Sequence, residues 1–73
     1  MTLDNRIKNY NYRVDIFYKN SIMNENKLYA VTFPEFWLAK KYAEALLGEE
    51  DIVGIYLLER ASDDNFDIVK RYK

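Results

Sequence analysis

Carboxylates are the side chains of this sequence best suited to acid–base chemistry. Asp63, Asp64 and Asp67 are close together in the sequence, and grouped carboxylates can act as general acids and bases. The sequence contains no histidine and no cysteine, so the most common general base and the thiol nucleophile of enzymes are both absent. Ser21 and Ser62 lie among turn-forming residues without a partner base nearby. Any catalysis would therefore depend on the three aspartates.

The same aspartates begin a pattern found in calcium-binding EF-hand loops. Oxygen ligands fill positions one, three and five, which are Asp63, Asn65 and Asp67. The sixth position of such a loop requires glycine for its sharp turn, and Ile68 stands there instead. The residues on both sides of this segment also have patterns typical of strands. We interpret the segment as a solvated turn and expect no metal site.

The size of the chain limits what can stabilise it. With 73 residues there is room for one domain, and so small a domain buries only about 60% of the surface that its unfolded chain exposes. The absence of cysteine and histidine excludes disulfides and structural zinc. Apolar burial must therefore stabilise the fold, either alone or together with self-association.

Charge and hydropathy limit the cellular compartments and the classes of partner to be expected. The net charge is −1, from 11 basic and 12 acidic residues, which gives no general reason to expect nucleic acid or an anionic membrane. No apolar run is longer than that at residues 55–58, so no segment can span a bilayer, and the charged N-terminal residues do not form a secretory signal. We expect a cytoplasmic protein.

Hydrophobic periodicity predicts the elements that position these side chains. Tyr12, Val14, Ile16 and Tyr18 alternate with polar residues, which indicates a strand. The segment 20–26 is rich in turn-formers and should close a hairpin. In full, we predict an extension at 1–9, strands at 10–19 and 27–31, a helix at 33–47, and strands at 52–60 and 65–72.

The helix has the clearest start signal in the chain. Thr32 and Glu35 fit a capping box, in which Thr32 is the N-cap and Glu35 reaches back to it. Gly48 is placed to end the helix as a left-handed cap. One helical face carries the apolar residues expected to meet the sheet: Phe36, Ala39, Tyr42, Ala43, Leu46 and Leu47.

The order of the elements predicts an α+β fold. A right-handed crossover from the second strand to the third leaves a gap that the first strand fills, so we expect a four-stranded antiparallel sheet of order 2-1-3-4 with one helix on one face. The predicted core consists of Val14, Ile16, Phe36, Ala39, Ala43, Leu46, Ile55 and Leu57. A sheet under a single helix offers no deep cleft to tune the aspartates, so we expect no catalysis, cofactor or small-molecule substrate.

Two apolar surfaces are candidates for binding a protein. Trp37 lies far around the helix from the core face, with Leu38 and Lys41 beside it; it is either a binding hot spot or stacked on Lys41. The sheet face without the helix should carry Phe17, Leu28, Ala30, Tyr56, Leu58 and Val69. We expect this face or a strand edge to be buried in a homodimer or against a partner, unless residues 1–9 fold across it.

Two charged patterns support alternative functions. Lys70, Arg71 and Lys73 surround Tyr72 and either contact a nucleic acid or protect an edge strand from aggregation. Acidic residues could instead imitate a nucleic acid, but the predicted topology divides them between opposite ends of the sheet: Glu49, Glu50, Asp51, Asp63 and Asp64.

The stretch at residues 31–60, VTFPEFWLAKKYAEALLGEEDIVGIYLLER, resembles a pattern common in small proteins of phages and mobile elements. In that pattern a strand leads into a Thr-Phe helix start, an Ala-Lys-Lys-aromatic-Ala helix and an Ile-Tyr strand. The resemblance implies a compact protein of the host-cell cytosol that acts by stoichiometric binding, for example as an inhibitor of a host or defence protein such as a CRISPR effector. It assigns no functional residue, because the shared positions are core and capping positions.

Overall fold

The structure is a computed structural model that describes residues 10–20 and 25–73. Its elements are β1 (Tyr12–Asn20), β2 (Glu25–Phe33), α1 (Phe36–Ala45), β3 (Ile52–Ser62) and β4 (Asn65–Arg71). The predicted extension at 1–9, with its possible role as a lid, and most of the predicted turn at 20–26 lie outside the described residues. Within the described part, no helix combines the length and the apolar character needed to cross a membrane.

The four strands form one sheet of order β2-β1-β3-β4, and every neighbouring pair is antiparallel. This confirms the predicted α+β class, the β-β-α-β-β order and the strand order. The helix α1 covers one side of the sheet, which we call the helix face, and the other side is the open face. The two central strands, β1 and β3, carry the largest buried side chains because they have a neighbour on each side and the helix above them.

The core lies between α1 and the two central strands. Most of the predicted core residues are fully buried there: Val14, Ile16, Ala39, Ala43, Ile55 and Leu57. The two alanines allow the helix to approach the sheet closely. The prediction for Phe36 is wrong, because its ring is 42% exposed and meets Tyr12 edge-on at 5.6 Å between centroids. As the first residue of α1, it lies at the rim of the core, and Leu46 is only half-buried at the other end.

An irregularity in β3 changes which of its side chains reach the core. Alternation predicts Val53 on the core side and Ile52 on the other, but Ile52 is buried and Val53 is exposed. The register explains the exchange: Phe17 pairs with Gly54, whereas Tyr18 pairs with Ile52. Val53 is therefore the extra residue of a β-bulge, which reverses the alternation beyond it.

The start of the helix also differs from the prediction. Thr32 is an exposed strand residue of β2 that pairs with Arg13, so it does not cap the helix. The N-cap position is Glu35, whose side chain makes no capping hydrogen bond. Pro34 accounts for the shift, because the residue before a proline is held away from helical geometry. Phe33 therefore completes the strand.

The end of the helix departs from the prediction as well. Helical geometry stops at Ala45. The amide of the C-cap residue Leu46 donates to the carbonyl oxygen of Ala43, and the amide of Leu47 donates to that of Glu44. Gly48 lies in the turn that follows, with a φ angle outside the left-handed region. The helix therefore ends without a left-handed glycine cap.

Replacing Thr32 with valine distinguishes its predicted role as a helix cap from its position as a strand residue. Valine keeps the β-branched shape that suits a strand and removes only the hydroxyl that a cap would need. Because Thr32 is an exposed residue of an edge strand, we expect the free energy of unfolding to stay within about 0.5 kcal/mol of the wild type in urea denaturation. A loss of about 1 kcal/mol or more would instead indicate a helix cap.

Candidate functional site

A shallow apolar groove crosses the open face of the sheet. Its lining comes from three adjacent strands: Asp15, Phe17, Tyr56, Leu58 and Ile68. The strand pairing produces it, since Asp15 faces Tyr56 and Leu58 faces Ile68. The volume of about 230 Å³ is below the range of drug-sized ligand sites, about 300–1,000 Å³. The groove is therefore smaller than a typical site for a drug-sized ligand.

The groove brings together Phe17, Tyr56 and Leu58, which the sequence predicted on this face. The rings of Phe17 and Tyr56 meet edge to face, with centroids 5.7 Å apart. Leu58 forms the floor, since it is 6% exposed, whereas Ile68 is 62% exposed at the wall. On β4 the prediction named Val69 for this face, but a register shift places Ile68 opposite Leu58.

A buried carboxylate lies at one end of the groove. Asp15 is only 9% exposed, and its two oxygens accept hydrogen bonds from Nε and Nη2 of Arg13 at 2.7 and 3.0 Å. Both side chains belong to the same strand, two residues apart, and therefore point to the same face. The paired hydrogen bonds fix the plane of the guanidinium group, so the end of the groove is preorganised.

Arginines stacked on aromatic rings surround the groove. Arg13 and Arg60 lie over the ring of Phe66 at 4.7 and 4.9 Å, and Arg71 lies over Tyr56 at 5.6 Å. Arg60 also donates to the carbonyl oxygens of Tyr10 and Asp63. Of the described residues that line the groove, Asp15 alone is acidic, and it is paired with Arg13.

The site residues predicted from the sequence did not include Arg13, Asp15, Arg60, Phe66 and Ile68. One signal for the first two was present, because Arg13 and Asp15 alternate with core residues and must face away from the helix. The neighbours of Arg60 depend on the register of β3 with β4, which shifts twice and cannot be read from alternation.

The second predicted surface lies on the outer side of α1. Trp37 is 57% exposed, and its indole N–H donates to the carboxylate of Glu35. Lys41 is exposed and Leu38 is half-buried. Among the described residues, no cation lies over the indole, so the alternative in which Trp37 stacks on Lys41 is not observed. The sheet separates this surface from the groove, so the two predicted sets do not form one site.

The predicted basic site is divided between the two faces. Arg71 pairs with Tyr56 on the open face, whereas Lys70 pairs with Leu57 and its ammonium group lies over Tyr72 at 4.8 Å. Lys73 donates to the carbonyl oxygen of Glu49 at 2.8 Å. The three cations therefore form no continuous track for a phosphate backbone. In the described residues, no group of three carboxylates gathers to hold a metal ion.

Tyr72 presents an unusual hydroxyl group beside the core. The side chain packs against the helix-face cluster, and its buried oxygen has no hydrogen-bond partner among the described residues. Burial raises the pKa of the Tyr72 hydroxyl, and the carboxylate of Glu44 raises it further. The arrangement therefore favours the neutral phenol.

Replacing Tyr72 with phenylalanine should change the pH dependence of stability. The folded pKa lies above the unfolded value, so the unfolded chain loses this proton first as pH rises through about 10. Wild-type stability should therefore decrease more steeply between pH 9 and 11 than that of Tyr72→Phe, when both are measured by urea denaturation. All other side chains are the same in the two proteins, so the comparison isolates the Tyr72 hydroxyl group. Parallel curves would contradict the expectation.

No family model, curated protein or solved structure matches this chain. Membership of the group of phage and mobile-element proteins that residues 31–60 resemble therefore stays a prediction.

Proposed function

We propose that this chain is a non-enzymatic protein-binding module that acts by stoichiometric binding and contacts its partner through the open-face groove. The groove supports this proposal most strongly. In it, the exposed aliphatic side chain of Ile68 lies beside the paired rings of Phe17 and Tyr56, and arginines lie around them. Aromatic residues and arginine are enriched at the centres of protein interfaces, where a few anchors carry most of the binding energy.

The chemistry of the groove indicates what the partner presents. An apolar side chain fits between Ile68 and the ring of Phe17, and a carboxylate beside it would meet the guanidinium of Arg71. The matching partner surface is therefore apolar at its centre and acidic at its rim. In the phage setting that residues 31–60 suggest, such a partner is a host or defence protein, for example a CRISPR effector, that the chain inhibits.

The alternative, a nucleic-acid-binding accessory protein, is supported less well. Binding of single strands depends on aromatic faces that are open for bases to stack on. Here guanidinium groups lie over the rings of Phe66 and Tyr56. The predicted basic residues also have different neighbours, so they do not form one phosphate-binding site: Lys70, Arg71 and Lys73.

The test compares charge introduced inside the groove with the same charge introduced beside it. Ile68→Lys places an ammonium group at the exposed wall, next to the arginines, and Val69→Lys is the matched control on the same strand outside the groove lining. Tagged chains are used to capture a partner from host-cell lysate, and the affinity for the purified partner is then measured. We expect Ile68→Lys to weaken binding at least tenfold and Val69→Lys to change it little.

Two further measurements test the other candidate surface, at Trp37, and the other class of partner, nucleic acid. Trp37→Ala tests the helix surface: a loss of affinity from this variant alone would move the site to Trp37. Salt titration tests the nature of the partner. Contacts with a phosphate backbone weaken steeply as salt is added, whereas an interface with an apolar centre and a few charge pairs at its rim weakens much less. Nuclease-sensitive capture with a steep salt dependence would overturn the proposal in favour of nucleic acid.

A further inference from the structure

The two edges of the sheet differ in how well they are protected. At β4 the pairing with β3 shifts register twice, and the strand carries Asp67, Lys70 and Arg71. Bulges and charged residues are the devices by which edge strands avoid pairing with other chains. This edge is therefore closed to a further strand.

The edge at β2 is less protected, because its pairing has no bulge and its two charged residues, Glu25 and Lys27, both lie at the start of the strand. All nine of its residues pair with β1 in one continuous register, and the run from Leu28 to Phe33 contains no charge. Leu28 and Tyr29 are 54% and 56% exposed. In an antiparallel sheet, the outer edge strand directs alternate amide and carbonyl groups away from its neighbour, so these groups are matched to another extended strand.

We propose that β2 pairs antiparallel with β2 of a second copy of this chain, so that the two sheets join into one of eight strands. Antiparallel pairing of identical strands requires a two-fold axis perpendicular to the sheet. Both helices then lie on the same face, and the two open faces become continuous. This interface is separate from the open-face groove.

The sequence of β2 is compatible with facing itself. With the axis near Ala30, the smallest residue of the uncharged run, Leu28 faces Thr32 of the copy and Tyr29 faces Val31 of the copy. Lys27 falls opposite Phe33, so no like charges meet directly. In the described part of the chain β2 is the one edge without a bulge, so pairing stops at two copies, as expected for an isologous dimer, and does not continue into a fibre.

The absence of cysteine allows a direct test on the full chain. Ala30→Cys places two thiols opposite each other at the proposed axis, where facing Cβ atoms lie about 4.5–5.5 Å apart. Under mild oxidation we expect a disulfide-linked dimer to form, and Val69→Cys, at the protected edge, should remain largely monomeric under the same conditions. Equal cross-linking of the two variants would overturn the proposal.

A second variant tests the non-covalent dimer. Ala30→Lys places like charges at the axis and should raise the dimer dissociation constant at least about fivefold in sedimentation velocity, while Val69→Lys should leave it unchanged. Circular dichroism checks that both variants are folded, and if Ala30→Lys is not, the cross-linking result decides. A wild-type chain that sediments as a monomer at high micromolar concentration would contradict the proposed dimer.

Discussion

Replacing Leu57 with alanine is expected to lower the free energy of unfolding by about 2–5 kcal/mol. Leu57 has no exposed surface, and it lies on β3 opposite Val14 in the cluster beneath α1. Its neighbours in the cluster belong to paired strands and to a helix already close to the sheet, so they cannot move in to fill the space. The loss therefore includes a cavity as well as the apolar area removed from burial.

The size of the domain makes this loss severe. The free energy of unfolding of a typical domain is about 5–15 kcal/mol. No disulfide adds to it here, because the sequence contains no cysteine. Urea denaturation at constant temperature measures the change, and Val69→Ala serves as the control because Val69 is 47% exposed. We expect the control to change stability by about 0.5 kcal/mol or less. Similar losses in the two variants would mean that the core has been placed wrongly.

Replacing Gly54 with leucine should have the next largest effect, because it disturbs the core strand and the groove together. A Cβ atom at Gly54 would lie 3.3 Å from Cδ2 of Phe17 and 3.4 Å from Cε2 of Tyr56. A leucine extends beyond that point and must displace the rings. We expect a loss of about 1–3 kcal/mol in the free energy of unfolding, together with loss of partner binding.

Gly54→Ala is the matched control for this prediction. It adds only the Cβ atom, which the ring of Phe17 can accommodate by moving a few tenths of an ångström. We expect its stability to remain within about 1 kcal/mol of the wild type, because alanine also restricts the unfolded chain. If Gly54→Leu were as stable as Gly54→Ala, the rings would not be packed against the backbone as the structure shows.

Alternation and the handedness of the crossover were together sufficient to predict the strand order. Val14 and Ile16 identify β1 as half-buried, and the apolar residues on both sides of β3 identify it as central. A right-handed crossover then left one arrangement, which the structure confirms. The errors arose where one residue changes the local geometry. Pro34 moved the start of the helix, and Val53 reversed the alternation of β3 through a bulge.

The candidate site was predictable only in part, and for a similar reason. Phe17, Tyr56 and Leu58 could be assigned to one face because each side of a strand has a period of two residues. Their contact with Ile68 depends on the register between β3 and β4, which the side-chain pattern of a single strand does not determine. The pairing of Arg13 with Asp15 is local and could have been predicted from their spacing along one strand.

The position of β1 between β2 and β3 has a consequence for the order of events during folding. The hairpins β1–β2 and β3–β4 join strands that are adjacent in the sequence, so each can form early. The seam between β1 and β3 instead pairs Val14 with Leu57, across the whole helical segment, and closing so long a loop is slow. We expect the seam to form at the rate-limiting step, so that the groove, which crosses it, exists only in the completed fold.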